Sequence, residues 1–229
     1  MLNPTTVRHS DRFIKVCGLK DPDNIARVAS LSPMLMGFIF HERSPRSAIG
    51  LSPDVVHSLP PYIRPVAVFR DSPLDVIIKT CYDYKIDIVQ LHGAETPLMC
   101  RVLRDNGYKV IKAINVSTRY DLERPRQYVD DVDLMLFDTP SPMGGGSGQK
   151  FDWTLLKDYD APIPYMLSGG IGPDDVDRVV EAVRPGMVGI DINSRFETEP
   201  GVKDISLLAK FILSLRQFNE DESIRTPFL

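Results

Sequence analysis

Short, almost unbroken apolar runs recur along this chain. Between them lie longer stretches whose apolar residues fall at helical spacing. Phe13-Ile14-Lys15-Val16 is the first run and ends in Cys17-Gly18. Leu35 to Phe40, Pro65 to Phe69, Ile86 to Leu91, Lys109 to Ile114, Leu134 to Phe137, Pro164 to Leu167 and Met187 to Ile190 follow in order. Runs this short and this continuously apolar predict strands buried on both faces, as in a parallel sheet covered by helices. The intervening stretches open with helix-start signals: Asp21-Pro22, Ser52-Pro53, Ser72-Pro73 and Thr96-Pro97 each place a capping side chain before a proline. Helices are further predicted between Thr118 and Val129, near Trp153 to Lys157, from Gly172-Pro173 to about Val183, and from about Lys203 to Gln217.

Eight strand–helix units in one chain predict an α/β fold, a single (β/α)8 TIM barrel of the phosphate-binding type. An open doubly wound sheet would more often have about five or six strands. No nucleotide fingerprint argues otherwise. Gly144, Gly145, Gly146 and Gly148 do not form GxGxxG, and Gly148-Gln149-Lys150 is not the end of a P-loop. The barrel is expected to occupy residues 13–217. A polar, aperiodic arm covers 1–12, and a polar tail covers 218–229.

Composition narrows the function classes. Over 229 residues, 43% are hydrophobic and 25% charged, enough for a sizeable core and against general disorder. A net charge of -4 leaves no basic footprint for nucleic acid or an anionic membrane surface. No apolar run reaches membrane-spanning length, and the first twelve residues lack a signal peptide's apolar centre. Three cysteines, Cys17, Cys81 and Cys100, suit a reducing compartment better than a disulfide framework. A cytoplasmic protein is expected. His9, His41, His57 and His92 contain no pair at metal-ligand spacing, so no metal site is expected.

In such a barrel the working residues sit where strands end and βα-loops begin. That rule selects Cys17, Arg46, His92, Asp138, Ser168-Gly169-Gly170 and the stretch from Asp191 to Ser194. Asp138 ends an apolar strand and is followed by Thr139 to Gly148, whose last five residues include four glycines. Order resumes at Phe151-Asp152-Trp153. A carboxylate at a strand mouth beside a flexible cover suits an acid working in a pocket that opens and shuts, and equally a capping Asp beside a surface loop. Ser168-Gly169-Gly170 offers backbone N–H groups free of side chains. Ser194 and Glu197 fit a capping box at the start of a short extra helix. Loops seven and eight with such a helix form a phosphate site in many barrels, and Asn193 and Ser194 join it here. Cys17 is by type a small packing residue and by place a candidate nucleophile. Cys81 and Cys100 fall on helices in apolar company and read as core.

Taken in order, these blocks resemble the phosphoribosylanthranilate isomerases of tryptophan biosynthesis. The resemblance rests on Lys15-Val16-Cys17-Gly18-Leu19, Met36 to Phe40 with Ser44-Pro45-Arg46, Asp87 to Gly93, and Phe137-Asp138 through Gly145-Gly146-Ser147-Gly148 to Trp153. Leu167 to Gly170, Asp191 to Ser194, Glu197-Thr198 and Pro200 to Asp204 complete it. It implies a cofactor-free Amadori rearrangement of a small phosphoribosyl substrate. Asp138 is then the general acid and Cys17 the general base. Arg46 holds the anthranilate carboxylate, Asp191 meets the sugar hydroxyls, and Gln90 and His92 line the pocket without an assigned role. Gly145, Gly146, Ser147 and Gly148 form the lid loop. A monomer or homodimer is implied. Three positions depart from the family pattern: Ser147 replaces threonine, Asn193 replaces serine, and Arg195 stands where glycine is usual. A glycine position can require φ > 0, which would strain an arginine.

The nearest rivals are other phosphosugar enzymes on the same barrel and a non-catalytic phosphosugar-binding barrel. An indole-glycerol-phosphate synthase would want a lysine at a strand end where strand three has Phe69-Arg70. A pentose-phosphate epimerase would want clustered histidines. A binding barrel would have no reason to keep Cys17 and Asp138 together.

Overall fold

The structure, a computed structural model, describes residues 13–140 and 151–219. The lid glycines Gly145, Gly146 and Gly148 with Ser147, the arm 1–12 and residues 220–229 lie outside the described residues. Eight parallel strands close into a TIM barrel in chain order: β1 (Phe13–Cys17), β2 (Leu35–Ile39), β3 (Arg64–Phe69), β4 (Ile88–Leu91), β5 (Lys109–Asn115), β6 (Leu134–Asp138), β7 (Tyr165–Leu167) and β8 (Met187–Ile192). Pairing of β1 with β8, Lys15 opposite Asp191, completes the ring.

Period-two alternation sorts each strand's side chains. Leu35, Val66, Ile88, Ile111, Leu134, Leu136, Met166 and Cys17 fill the barrel interior, while Val16, Met36, Phe38, Val89, Phe137 and Leu167 pack outward under the helices. That phase decides the site. Asp138 follows Leu134 and Leu136, Gln90 follows Ile88, and Ser168 follows Met166, so each reaches the mouth pointing inward. The phase is held from behind: Phe137 is fully buried and packs at ring-centroid distances of 4.9 Å on Tyr159 and 5.2 Å on Tyr165. Burying that ring is worth about 1.5–3 kcal/mol, and a one-residue slip of β6 would forfeit it while turning Asp138 out of the mouth.

The proline-capped helices start where the sequence places them in three of four cases. Asp21 Oδ1 accepts the Asn24 N–H at 2.7 Å ahead of α1 (Pro22–Ala29). Ser52 does the same for α2 (Pro53–His57) and Thr96 for α4 (Pro97–Asp105). In α3 (Leu74–Tyr84), Pro73 is itself the cap and Ser72 makes no capping bond. Two predicted helices are 3₁₀ segments, Arg119–Tyr128 and Trp153–Asp158. Pro125 inside the first removes an N–H that an α-helix would need. Before α5 (Val176–Glu181), the turn from Gly172 runs to Asp175, whose Oδ2 accepts the Gly172 N–H at 2.6 Å.

The largest departure lies after β8. The predicted helix from Lys203 starts at Ile205 (α6, Ile205–Asn219). Ahead of it come a 3₁₀ turn (Ser194–Phe196) and a small antiparallel pair, β9 (Glu197–Glu199) and β10 (Val202–Lys203). Asn24 on α1 holds β10 with two bonds, donating to the Lys203 carbonyl at 2.8 Å and accepting its N–H at 2.8 Å. This hairpin carries Glu197 and Lys203 to the barrel mouth.

Candidate active site

A cavity of about 790 Å³ opens at the C-terminal ends of the strands. Cys17, Arg46, Gln90, His92, Asp138, Ser168, Gly169, Gly170, Asp191, Asn193 and Ser194, every sequence-selected residue among those described, border it. Four groups of side chains divide its wall.

At the floor, Cys17 is 4% exposed and lies beside Lys15, which is fully buried. The Lys15 ammonium meets Asp191 Oδ1 at 2.9 Å. Burial alone would lower the Lys15 pKa, but the charges of Asp191 and Cys17 raise it above its usual value, so Lys15 is a cation. Burial pushes the Asp191 carboxyl up and the ammonium opposes it; the ion pair satisfies both. Burial likewise pushes the Cys17 thiol up, with Lys15 pulling it back. Cys81 and Cys100 are buried in apolar surroundings on α3 and α4, each pushed up to about 12 by burial, and take no part in the site.

Across the mouth, Asp138 Oδ1 accepts the Thr139 N–H at 2.8 Å and Oδ2 faces His92 Nε2 at 3.2 Å. The Gln90 amide nitrogen lies 3.2 Å from His92 Nδ1. With the amide nitrogen on that side, Gln90 donates to Nδ1 and the ring proton sits on Nε2, aimed at Asp138, an arrangement that leaves the buried Gln90 Oε1 without a partner. The histidine without an assigned role thus orients the candidate acid. Its loop is itself pinned: the buried Lys112 ammonium bonds the Gly93 carbonyl at 2.7 Å and Glu95 Oε2 at 3.0 Å.

The loops after β7 and β8 form the third group. Gly169 and Gly170 have φ of +88° and +68°. A β-carbon at Gly169 would lie 2.3 Å from Thr139 Oγ1 and 2.9 Å from Asp138 Oδ1, so only glycine lets this loop pass so close to the acid. Ser168 turns its hydroxyl to Asp191 Oδ2 at 3.4 Å. Arg195 is exposed and is not among the residues at positive φ, so it carries no backbone strain at a place where glycine was expected.

The fourth group corrects the sequence reading. Ser194 and Glu197 do not form a capping box; Asn193 precedes the 3₁₀ turn without a side-chain cap. Glu197 instead receives Arg46 through Nε at 2.9 Å and Nη2 at 2.7 Å, and Lys203 Nζ at 2.7 Å. Lys203 also bonds Asn193 Oδ1 at 2.7 Å. Burial would raise the Glu197 carboxyl, but the hydrogen bonds and charges of Arg46 and Lys203 hold it below the usual glutamate range. A lowered folded-state pKa stabilises the fold above about pH 4.3, and that contribution is lost as pH falls further. Lys15, Glu197 and Lys203 were not selected from sequence. Lys15 alone left a local signal, since it shares the inward phase of Cys17.

Known proteins resemble this chain along most of its length. A family profile described as N-(5'-phosphoribosyl)anthranilate (PRA) isomerase matches residues 14–214. The N-(5'-phosphoribosyl)anthranilate isomerase of Parabacteroides distasonis is 41% identical over 202 residues, covering 87% of this chain and 91% of the relative. The crystal structure of phosphoribosyl anthranilate isomerase from Thermotoga maritima superposes with a TM-score of 0.79 at 29% identity, covering 91% of this chain and 100% of that one. A structure of such an isomerase in complex with reduced 1-(o-carboxyphenylamino)-1-deoxyribulose 5-phosphate gives 0.77 at 29% identity, covering 90% and 100%. With the family profile spanning nearly the whole barrel, the chain belongs to the N-(5'-phosphoribosyl)anthranilate isomerase family.

Proposed function

We propose that this chain converts N-(5-phosphoribosyl)anthranilate to 1-(2-carboxyphenylamino)-1-deoxyribulose 5-phosphate, an isomerisation in tryptophan biosynthesis. One observation carries the reading: a thiol from β1 and a carboxyl from β6 face the same cavity, with a glycine loop and a buried arginine on its border. The Asp138 carboxyl gives its proton to the furanose ring oxygen as the bond from that oxygen to C1 breaks, leaving an iminium. The carboxylate left behind is received by two donors already in place, Thr139 N–H and His92 Nε2–H. The Cys17 thiolate then takes the proton from C2. The iminium acidifies that C–H, so a thiolate is a sufficient base. The resulting enol tautomerises to the ketone. Backbone N–H groups of Gly169 and Gly170 and of the Asn193–Ser194 turn receive the phosphate. The Ser168 N–H is already given to the Phe137 carbonyl at 2.8 Å, so Ser168 takes part only by carrying the loop.

Arg46 meets the anthranilate carboxylate. Glu197 occupies its Nε edge, so the substrate is met from the remaining Nη face, and the ion pair fixes where that face points. Arg46→Ala is expected to raise KM about 10- to 100-fold, the worth of a charge-assisted hydrogen bond, with a smaller change in kcat. Inhibition by inorganic phosphate should stay near the parent's; a large loss of it would put Arg46 at the phosphate end.

Among the described residues no helix is long and apolar enough to cross a membrane. We propose a cytoplasmic enzyme that works on a small phosphoribosyl compound as a monomer or homodimer. The test is turnover of freshly made phosphoribosylanthranilate, followed by loss of its fluorescence. Binding without that loss would leave a phosphosugar-binding barrel.

A further inference from the structure

Lys15 is the unusual feature of the barrel interior. Its neighbours in the inward layer, Leu35, Val66, Ile88 and Leu134, are apolar and fully buried, and a leucine at position 15 would continue that layer. Burying an ammonium is costly unless it is paired. The pairing here is specific. An ammonium has three N–H donors, and Asp191 Oδ1 receives one at 2.9 Å. The Cys17 sulfur lies alongside. A β-carbon added at Gly37, on the neighbouring strand, would sit 2.7 Å from Cys17 Sγ and 3.1 Å from Lys15 Nζ, so both atoms pack against the same point of the β2 backbone, too close for a side chain there. Glycine at position 37 lets sulfur and ammonium approach the β2 backbone this closely together.

We infer that Lys15 is a positioning residue for the isomerisation, its buried ammonium standing beside the Cys17 sulfur at the floor of the cavity and favouring formation of the thiolate there. This rests on Cys17 being the base. The groups facing the sulfur divide by sign. Lys15 on β1 and Lys203 on β10 favour the thiolate, and Asp191 on β8 disfavours it. Arg46, from the loop after β2, approaches Gly18 and adds positive charge near the same wall. Gly37 on β2 contributes no charge. Asp138 and His92 lie across the mouth and act on Asp191 with opposite signs. Lys15 pulls the thiol pKa down more than any other charge around it, against burial that pushes it up.

The experiment measures the sulfur and the reaction separately in Lys15→Met. Iodoacetamide labelling of Cys17 is followed against pH by peptide mass spectrometry, which keeps Cys81 and Cys100 out of the signal. The pH profile of kcat/KM is recorded alongside. The labelling midpoint and the acid limb of kcat/KM should both move up by at least about one pH unit, with activity near pH 7 down about tenfold or more and recovering as pH rises. A structural ion pair would lower folded protein without moving either midpoint. Should Lys15→Met fail to fold because Asp191 is left buried and unpaired, Lys15→Met/Asp191→Asn removes both charges; its labelling midpoint should lie above that of Asp191→Asn alone. A folded variant whose labelling midpoint matches its reference overturns the inference. A shifted labelling midpoint with an unshifted rate profile supports the role of Lys15 on the sulfur and removes Cys17 as the base.

Discussion

Asp138→Asn is expected to lower kcat by about 10² to 10⁴, the usual worth of a positioned acid. The substitution is close to isosteric. An amide oxygen can still accept the Thr139 N–H or the His92 Nε2–H, so the β6 end and the His92 loop should stay in place. What is lost is the transferable proton: an amide cannot protonate the ring oxygen, and ring opening becomes limiting. Affinity for a product analogue should change little, because the analogue is already open-chain and needs no acid. Circular dichroism and thermal melting check the fold, and single-turnover rates check the chemical step. Near-normal kcat in a folded Asp138→Asn protein would take Asp138 out of the mechanism.

His92→Asn and Asp138→Asn should therefore differ in kind. His92 acts through the orientation of Asp138, whereas Asp138 holds the proton itself. The Gln90–His92–Asp138 chain also shows where sequence reading stops. Asp138 was legible because it ends an apolar strand at the barrel mouth, whereas Gln90 entered only through the family resemblance. The partnership of His92 with Asp138 was not legible, since it joins the ends of β4 and β6 across the mouth. Capping followed the same division. Asp21, Ser52 and Thr96 act within their own turn and were readable. Glu197 sits at a spacing that fits a local capping box, yet it pairs with Arg46, 151 residues away, because two buried cations at the mouth require a carboxylate. Lys15 was absorbed into an apolar run. Its partner Asp191 is 176 residues downstream, and only closure of β1 against β8 brings them together.

The outcome for Cys17→Ser separates packing from chemistry most directly. As a packing residue, Cys17 would tolerate serine with a modest stability change and largely preserved activity. The site offers the hydroxyl a place, since Lys15 Nζ stands by the sulfur position and can donate to it. Folding should therefore survive. Proton abstraction should not, because a serine hydroxyl is far too weak a base to take the C2 proton near neutral pH. The expected loss is at least about a hundredfold in kcat, with product-analogue affinity retained. In the parent, the rate should climb with pH along a thiol titration. Burial displaces that titration upward from the free-cysteine range near about 8.5, so the acid limb should extend above neutrality. Below it the sulfur carries its proton and the base is absent; above it the thiolate is present and the rate levels off. Product bound over the sulfur should slow alkylation of Cys17 without altering the labelling of Cys81 or Cys100, which lie on α3 and α4 away from the cavity. A fully active Cys17→Ser protein, with both other cysteines intact, would return Cys17 to the core and leave Lys15 with only Asp191 to serve.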